Sequence, residues 1–244
     1  MAFSPGDAVF GVGKGTLAEY ACARESALCS KPDGVTFEEA ASAPVAAVTA
    51  LQGLRDQGGI HAGQSLLING AAGGVGTFAV QIAKIYAAQV TAVCSTKNVE
   101  LLRSIGADRV IDYTQQDFTR LGEKYDLIFD LVLNHSLLEF RRALKPHGKY
   151  VSAGALGGSI PGFLTGFFRG PLLSKFVTQR FVTFIAKIKA TDLAYLGELM
   201  TSGRVRPVIE NRYPLSDGRR GIELVAARHV RGKVLINVVP GSQD

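Results

Sequence analysis

Between residues 63 and 84 the chain reads G-Q-S-L-L-I-N-G-A-A-G-G-V-G-T-F-A-V-Q-I-A-K. Residues 65–69 form a short apolar run, 70–76 are almost all small, and 77–88 carry apolar residues at helical spacing. A strand that passes through a turn of small residues straight into a helix is the opening of a βαβ unit. The continuation agrees with it. Strands are predicted at 90–94, 109–112, 127–132 and 149–153, with helices at 99–105 and 137–144 between them. Alternation at this spacing implies a parallel sheet covered by helices on both faces. The run L-I-F-D-L-V at 127–132 is continuous rather than alternating, as a strand buried on both faces requires. The fold class is therefore α/β, a doubly wound parallel sheet of Rossmann type.

The two ends of the chain read differently. Residues 7–11 and 17–23 carry extended patterns, with turn signals at Gly13, Gly15 and Pro32-Asp33-Gly34. Thr36 and Glu39 have the spacing of a capping box, and an Ala-rich helical stretch runs on to about residue 57, broken at Pro44. Beyond Gly170 the pattern predicts a strand at 176–185, a helix at 192–202 capped by Thr191, an extended segment at 207–214, a helix at 217–228 and a strand at 233–239. The expected division is 1–50, 51–190 and 191–244, with the two ends contributing to one smaller domain. The uncharged run 150–168 contains several glycines and Pro161, which suits a strand and a glycine-rich loop better than a bilayer span.

Charge and cysteine usage exclude several classes. The chain carries 27 Lys and Arg against 21 Asp and Glu, a net charge of +6. That balance favours anionic partners mildly, and ordinary surface charge for solubility explains it equally well. No Lys/Arg block forms a nucleic-acid arm, so no nucleic-acid partner is expected. Cys22, Cys29 and Cys94 form no C-x-x-C pair, which points to a reducing compartment. The four histidines, 61, 135, 147 and 229, are scattered, and no metal site is expected. The first residues lack a basic stretch followed by an apolar core, so the expected location is cytoplasmic.

The small-residue turn suggests a ligand. Ala72, Gly73, Gly74, Val75 and Gly76 let the backbone approach a pyrophosphate, and the opening N–H groups and dipole of the following helix stabilise its charge. The spacing departs from a strict G-x-G-x-x-G, and a tight turn without a ligand is the competing reading. After the second strand stands C-S-T-K-N, residues 94–98, without a carboxylate to hold a ribose 2′-hydroxyl. Ser95 and Lys97 instead suit a 2′-phosphate, which favours NADPH over NADH. Alternatively Ser95 caps the next helix and Lys97 is simply solvated.

Several motifs together carry a family resemblance: the turn with Gln81 and Lys84 beyond it, P-G-D-A-V-F-G at 5–11, G-T-L-A-E-Y at 15–20, P-V-A-A-V-T-A-L at 44–51, G-A-D-R-V-I-D-Y at 106–113 and H-V-R-G-K-V-L-I-N-V at 229–238. The chain resembles the zinc-free, zeta-crystallin-like quinone oxidoreductases of the medium-chain dehydrogenase/reductase superfamily. The last motif, with R-P-V-I-E at 206–210, is most similar to the branch that includes a reticulon-interacting mitochondrial oxidoreductase. The resemblance implies a Rossmann domain inserted in a GroES-like β domain. It implies hydride transfer from NADPH to a quinone or α,β-unsaturated carbonyl, and a homodimer formed through the 176–185 strand. It places Tyr113 beside the adenosine, Leu131 at the end of the fourth strand and Gly154 near the nicotinamide. It folds His229, Val230 and Arg231 over the cofactor. Thr49 matches a position near the nicotinamide, and no catalytic acid is assigned.

The chain departs from that pattern in two places. Leu133 stands where the family often has glycine, and its side chain is expected to crowd the diphosphate region. Family members also carry a longer GroES-like segment before P-G-D-x-V-F-G, so the β domain is expected to be incomplete. The alternative reading is then an NADPH-binding protein with weak or no catalysis, and an organellar address stays open. Residues 160–189 interleave apolar and basic side chains. They are read as a lid and a subunit-edge strand in preference to a membrane-surface segment.

Overall fold

The computed structural model describes residues 3–153, 170, 173–174, 176–227 and 230–238. The chain divides into two compact units, residues 49–186 and residues 1–48 with 187–244. The glycine-rich loop expected after residue 153 lies outside the described residues, as do most of residues 160–175 and the end of the last predicted strand.

The first unit is built on six parallel strands: β3 (Ser65–Asn69), β4 (Gln89–Cys94), β5 (Arg109–Asp112), β6 (Tyr125–Asp130), β7 (Leu144–Ala153) and β8 (Arg180–Phe184). Their order is β5-β4-β3-β6-β7-β8. The chain starts in the middle at β3, builds outward through β4 and β5, then returns to the other side of β3 with β6. The helices between them are α3 (Gly74–Ile85), α4 (Val99–Ser104) and α5 (Leu137–Ala143). Leu66, Leu67, Ile68, Leu127, Ile128 and Phe129 are all fully buried, which is why these strands read as continuous apolar runs. Phe140, Tyr150 and Phe181 extend this core as an aromatic row, with ring centroids 4.6 and 5.6 Å apart.

Several boundaries move for physical reasons. The helix expected from residue 77 starts at Gly74, because Gly73 takes the extended N-cap conformation (ψ 175°) and nothing before Thr77 obstructs the turn. The fourth strand ends at Asp130 rather than Val132, because the Asp130 carboxylate accepts the N–H groups of Val132 and Leu133 and turns the chain. Strand β7 begins five residues earlier than expected, and a bulge near Tyr125 and Leu127 absorbs the extra residues in its pairing with β6.

The second unit holds β1 (Val9–Gly11) antiparallel to β2 (Leu28–Ser30), and β9 (Ile209–Pro214) parallel to β10 (Lys233–Asn237). Its helices are α1 (Phe37–Ser42), α6 (Ala190–Thr201) and α7 (Gly218–Ala226). The capping box forms as predicted, with Glu39 N–H donating to Thr36 Oγ1 (3.2 Å) and Thr36 N–H to Glu39 Oε2 (2.9 Å). The strand expected at 17–23 does not form. Only a Lys14–Cys22 bridge occurs there, and Tyr20 is 89% exposed, so no buried face rewards an extended pairing. Thr191 does not cap α6 either. The N-cap is Lys189, and Thr191 lies in the first turn.

The connection into the first unit is α2 (Ala46–Gln52) and a π-helical turn, Gly53–Gly58, closed by Gly59 at φ +65°. This turn packs on β6 so closely that a Cβ at Gly53 would stand 2.6 Å from the ring of Phe129. Phe129 is fully buried and has nowhere to go. Gly53→Ala is therefore expected to destabilise the chain by about 1–3 kcal/mol. Urea unfolding should show a lower midpoint with an unchanged slope.

Candidate cofactor site

In an open parallel sheet, ligands settle outside the carboxyl ends of the strands, at the point where the strand order reverses. Here that point lies between β3 and β6, which pair from Leu66–Leu127 to Asn69–Asp130. Sequence reasoning selected residues scattered over sixty positions. The sheet gathers Ala72 to Gly76, Ser95, Lys97, Tyr113 and Leu131 at the carboxyl ends of four adjacent strands, β5, β4, β3 and β6.

The turn after β3 is held by backbone bonds. Ala71 N–H donates to Val93 O (3.1 Å) and Gly73 N–H to Gly70 O (3.2 Å). The first bond into α3 runs from Thr77 N–H to Gly73 O (3.0 Å), so the N–H groups of Gly74, Val75 and Gly76 open the helix ahead of it. Gly76 permits this geometry. A Cβ there would lie 2.3 Å from Gly70 O and 2.5 Å from Ala71 O. Gly73 is different, since its Cβ would meet nothing nearer than Gly70 O at 3.5 Å. The turn is thus a cradle with open space at its N-cap, which fits an anionic group on the helix N-terminus.

The next strand end carries the second half of the site. Ser95 is half-buried and accepts a hydrogen bond from Asn98 Nδ2 (3.2 Å). Asn98 is itself buried, and its Oδ1 has no partner among the described residues. Lys97 is exposed, with no ion pair among them. Tyr113 is 58% exposed, and its N–H donates to Cys94 O (2.9 Å), which fixes it beside the end of β4. An orphaned acceptor, a free cation and an exposed aromatic ring at one edge fit the adenosine end of a dinucleotide.

A carboxylate that the sequence pattern missed also stands here. Residues 94–98 contain none, yet β5 places Asp112 opposite Cys94. Asp112 accepts from Thr96 Oγ1 (2.5 Å), from Thr114 N–H (2.9 Å) and Oγ1 (2.8 Å), and from Gln115 Nε2 (3.2 Å). These bonds, that from Thr96 foremost, hold its carboxyl below the ordinary carboxylate range. Burial, and secondarily the Asp112 charge, push the Cys94 thiol up to about 11. Cys94 is therefore a neutral wall and not a nucleophile.

The deepest polar group was also missed. Asp130 is completely buried at the end of β6. Its Oδ1 accepts from Asn69 Nδ2 (2.9 Å), Val132 N–H (3.1 Å) and Leu133 N–H (3.2 Å), and its Oδ2 from Tyr150 OH (2.7 Å). Burial first, then the Asp130 charge, raise the Tyr150 hydroxyl's pKa far above its usual value, so it stays a donor. The signal was present in S-L-L-I-N and L-I-F-D, two apolar strands that each end on a polar residue. Leu133 adopts φ +62°, a conformation that costs a branched residue roughly 1–2 kcal/mol and that glycine takes freely.

Other candidates lie elsewhere. Gly154 and His229 are outside the described residues. Val230 and Arg231 belong to the other compact unit, where Arg231 N–H bonds Glu210 Oε2 (2.8 Å). Thr49 is half-buried in α2. An open cavity of about 310 Å³ lies at the opposite, amino end of the sheet, lined by His61, Gln64, Asp126, His147 and Lys149. Its position removes it from the strand ends that bind nucleotides in this fold.

A family model described as zinc-binding dehydrogenase matches residues 105–236. The chain is 34% identical to the chloroplastic quinone-oxidoreductase QR1 of Triphysaria versicolor, over 96% of this chain and 73% of that protein. The chain belongs to the medium-chain dehydrogenase/reductase superfamily. Within it the chain groups with the quinone oxidoreductases. It is also 34% identical to the mouse mitochondrial NAD(P)H oxidoreductase RTN4IP1, over 97% of this chain and 66% of that one. The solved quinone oxidoreductase from Coxiella burnetii superposes with a TM-score of 0.84 at 29% identity, covering 98% of this chain and 74% of its own. The family model's description raises the question of zinc. Among the described residues no three His, Cys, Asp or Glu side chains come together to hold a metal ion, so they do not fit one.

The bonds to Asp112 give this strand end a measurable acid response. The carboxyl is more acidic folded than unfolded. It therefore adds stability that is present above the unfolded value of about 3.9 and is lost as the pH falls from there through the folded value. Thermal melts of wild type and Asp112→Asn should differ at pH 6 and converge toward pH 2.5.

Proposed function

We propose that this chain is an NADPH-dependent oxidoreductase acting on quinones or α,β-unsaturated carbonyls. One observation carries the reading: the Gly73–Gly76 cradle and the Ser95–Lys97 edge follow the carboxyl ends of the adjacent strands β3 and β4, with the cradle at the switch point of the sheet. The names of its relatives support it. They include a quinone oxidoreductase, an NAD(P)H oxidoreductase and an NADPH-dependent alkenal/one oxidoreductase.

The opening N–H groups of α3 hold the diphosphate, and the N-terminal end of its dipole offsets the charge. Ser95 and Lys97 receive the 2′-phosphate, Ser95 by hydrogen bonding and Lys97 by charge. The Asp112 carboxylate stands nearby and keeps its charge; its bonds from Thr96, Thr114 and Gln115 fix its position, and the Lys97 charge has to outweigh its repulsion of that phosphate. Tyr113 offers a ring to the adenine. The family resemblance assigns Leu131 to the diphosphate side, names Gly154, His229, Val230 and Arg231 as further cofactor contacts, and makes Thr49 the candidate nicotinamide contact. A reduced nicotinamide, when bound, supplies a hydride to an electron-poor acceptor. The chain contributes orientation and a surface that excludes water.

The assembly we propose is a homodimer through β8. This strand is one of the sheet's two edges among the described residues, with Phe176 80% and Ile185 63% exposed beside it. An edge of that kind invites pairing. Light scattering at micromolar concentration should give twice the monomer mass.

Two variants test the cofactor reading. Gly73→Asp has room for its side chain and supplies a favourable N-cap, so thermal stability should hold or rise. Its carboxylate would occupy the anion's place, and NADPH binding should fall by more than about tenfold. Ser95→Ala with Lys97→Ala should weaken NADPH by about tenfold or more and leave NADH unchanged. Wild type binding both nucleotides equally would overturn the 2′-phosphate assignment. NADPH oxidation with a panel of quinones and enones reports the activity.

A further inference from the structure

The buried charge at Asp130 has no cationic partner among the described residues, although a carboxylate so deep is costly unless fully bonded. Two of its four bonds fasten the loop after β6. Val132 and Leu133 donate their N–H groups to it. Leu131 N–H donates to Asn69 O (3.1 Å), and Asn69 Nδ2 donates to Asn134 Oδ1 (2.8 Å) as well as to Asp130. Four consecutive residues, 131–134, are thus tied to the ends of β3 and β6. The tie holds Leu133 at φ +62° against its own preference. It also presses Val132 on the phosphate turn, since a Cβ at Gly70 would stand 2.6 Å from Val132 Cγ2.

Resting on the cofactor reading above, we propose that Asp130 is a positioning residue for NADPH: its buried carboxylate holds the 131–134 loop against Gly70 and so fixes the shape of the turn that receives the diphosphate. Tyr150 supports it by bonding the second oxygen. Leu133 is the residue whose strain the carboxylate must overcome.

The test uses the full chain. Amide hydrogen exchange is followed at Val132 and Leu133, and NADPH affinity is measured by titration. Asp130→Asn removes the charge and should speed exchange of both amides and raise the NADPH dissociation constant by about tenfold. Adding Leu133→Gly to that variant relieves the strain and should recover most of the lost affinity. Asn134→Ala cuts an exposed tether and leaves no buried charge unpaired, so it stays informative if Asp130→Asn does not fold. It should raise the dissociation constant by about threefold with faster exchange in the same loop. Faster exchange with unchanged affinity would overturn the positioning role, and so would unchanged exchange. A wild-type chain that binds no NADPH would overturn the cofactor reading itself, whatever the amides show.

Discussion

The close approach of α3 to the turn before it is the constraint on which the site depends. Gly76 stands where a single methyl group would enter Gly70 O and Ala71 O. Because it carries none, the first turn of α3 closes directly over the end of β3, with the opening N–H groups at the switch point between β3 and β6. An anion-binding helix N-terminus needs that placement. A larger residue would push the helix away from the strand end and the donors with it. Fold and site are therefore the same packing problem at this position.

A second constraint is electrostatic. The sheet buries the Asp130 carboxylate and, among the described residues, answers it with four hydrogen bonds rather than a cation. Such a group is inexpensive only while every donor stays in place. It joins β3, β6, β7 and the loop after β6, so local loosening at any of them is felt by the others. Asp112 works differently. It is half-buried, its donors are Thr114 and Gln115 close by in the chain and Thr96 on the neighbouring strand end, and its contribution follows pH. One carboxylate ties strands together, and the other is held ionised in a fixed position by its hydroxyl and amide donors.

The chemistry suggested by the relatives asks little of side chains as acids or bases. Cys94 is neutral at ordinary pH and Tyr150 is committed to Asp130. What remains at the strand ends, among the described residues, is backbone donors, a lysine without an ion pair, a serine hydroxyl and an exposed tyrosine ring. In the proposed function that set would bind and orient a charged nucleotide and leave the bond-making to it.

The sequence by itself determined the alternation of strands and helices, the turn of small residues that opens at Gly70, though not that the helix begins within it at Gly74, the capping box at Thr36 and the identity of the residues at the strand ends. These depend on local periodicity, on glycine's missing side chain and on hydrogen bonds between neighbours three residues apart, all readable along the chain. It failed at 17–23, where an extended pattern finds no buried face, and at Thr191, where capping potential was present but the helix began two residues earlier. Only the tertiary structure decided that Asp112 reaches Thr96 and that Asn69, Asp130 and Tyr150 meet. Those contacts cross sixteen to sixty-one positions and exist only because parallel pairing sets β3 beside β6 and β4 beside β5 in one register. A shift of one residue in either pair would turn these side chains to the other face of the sheet, and no local pattern fixes that register.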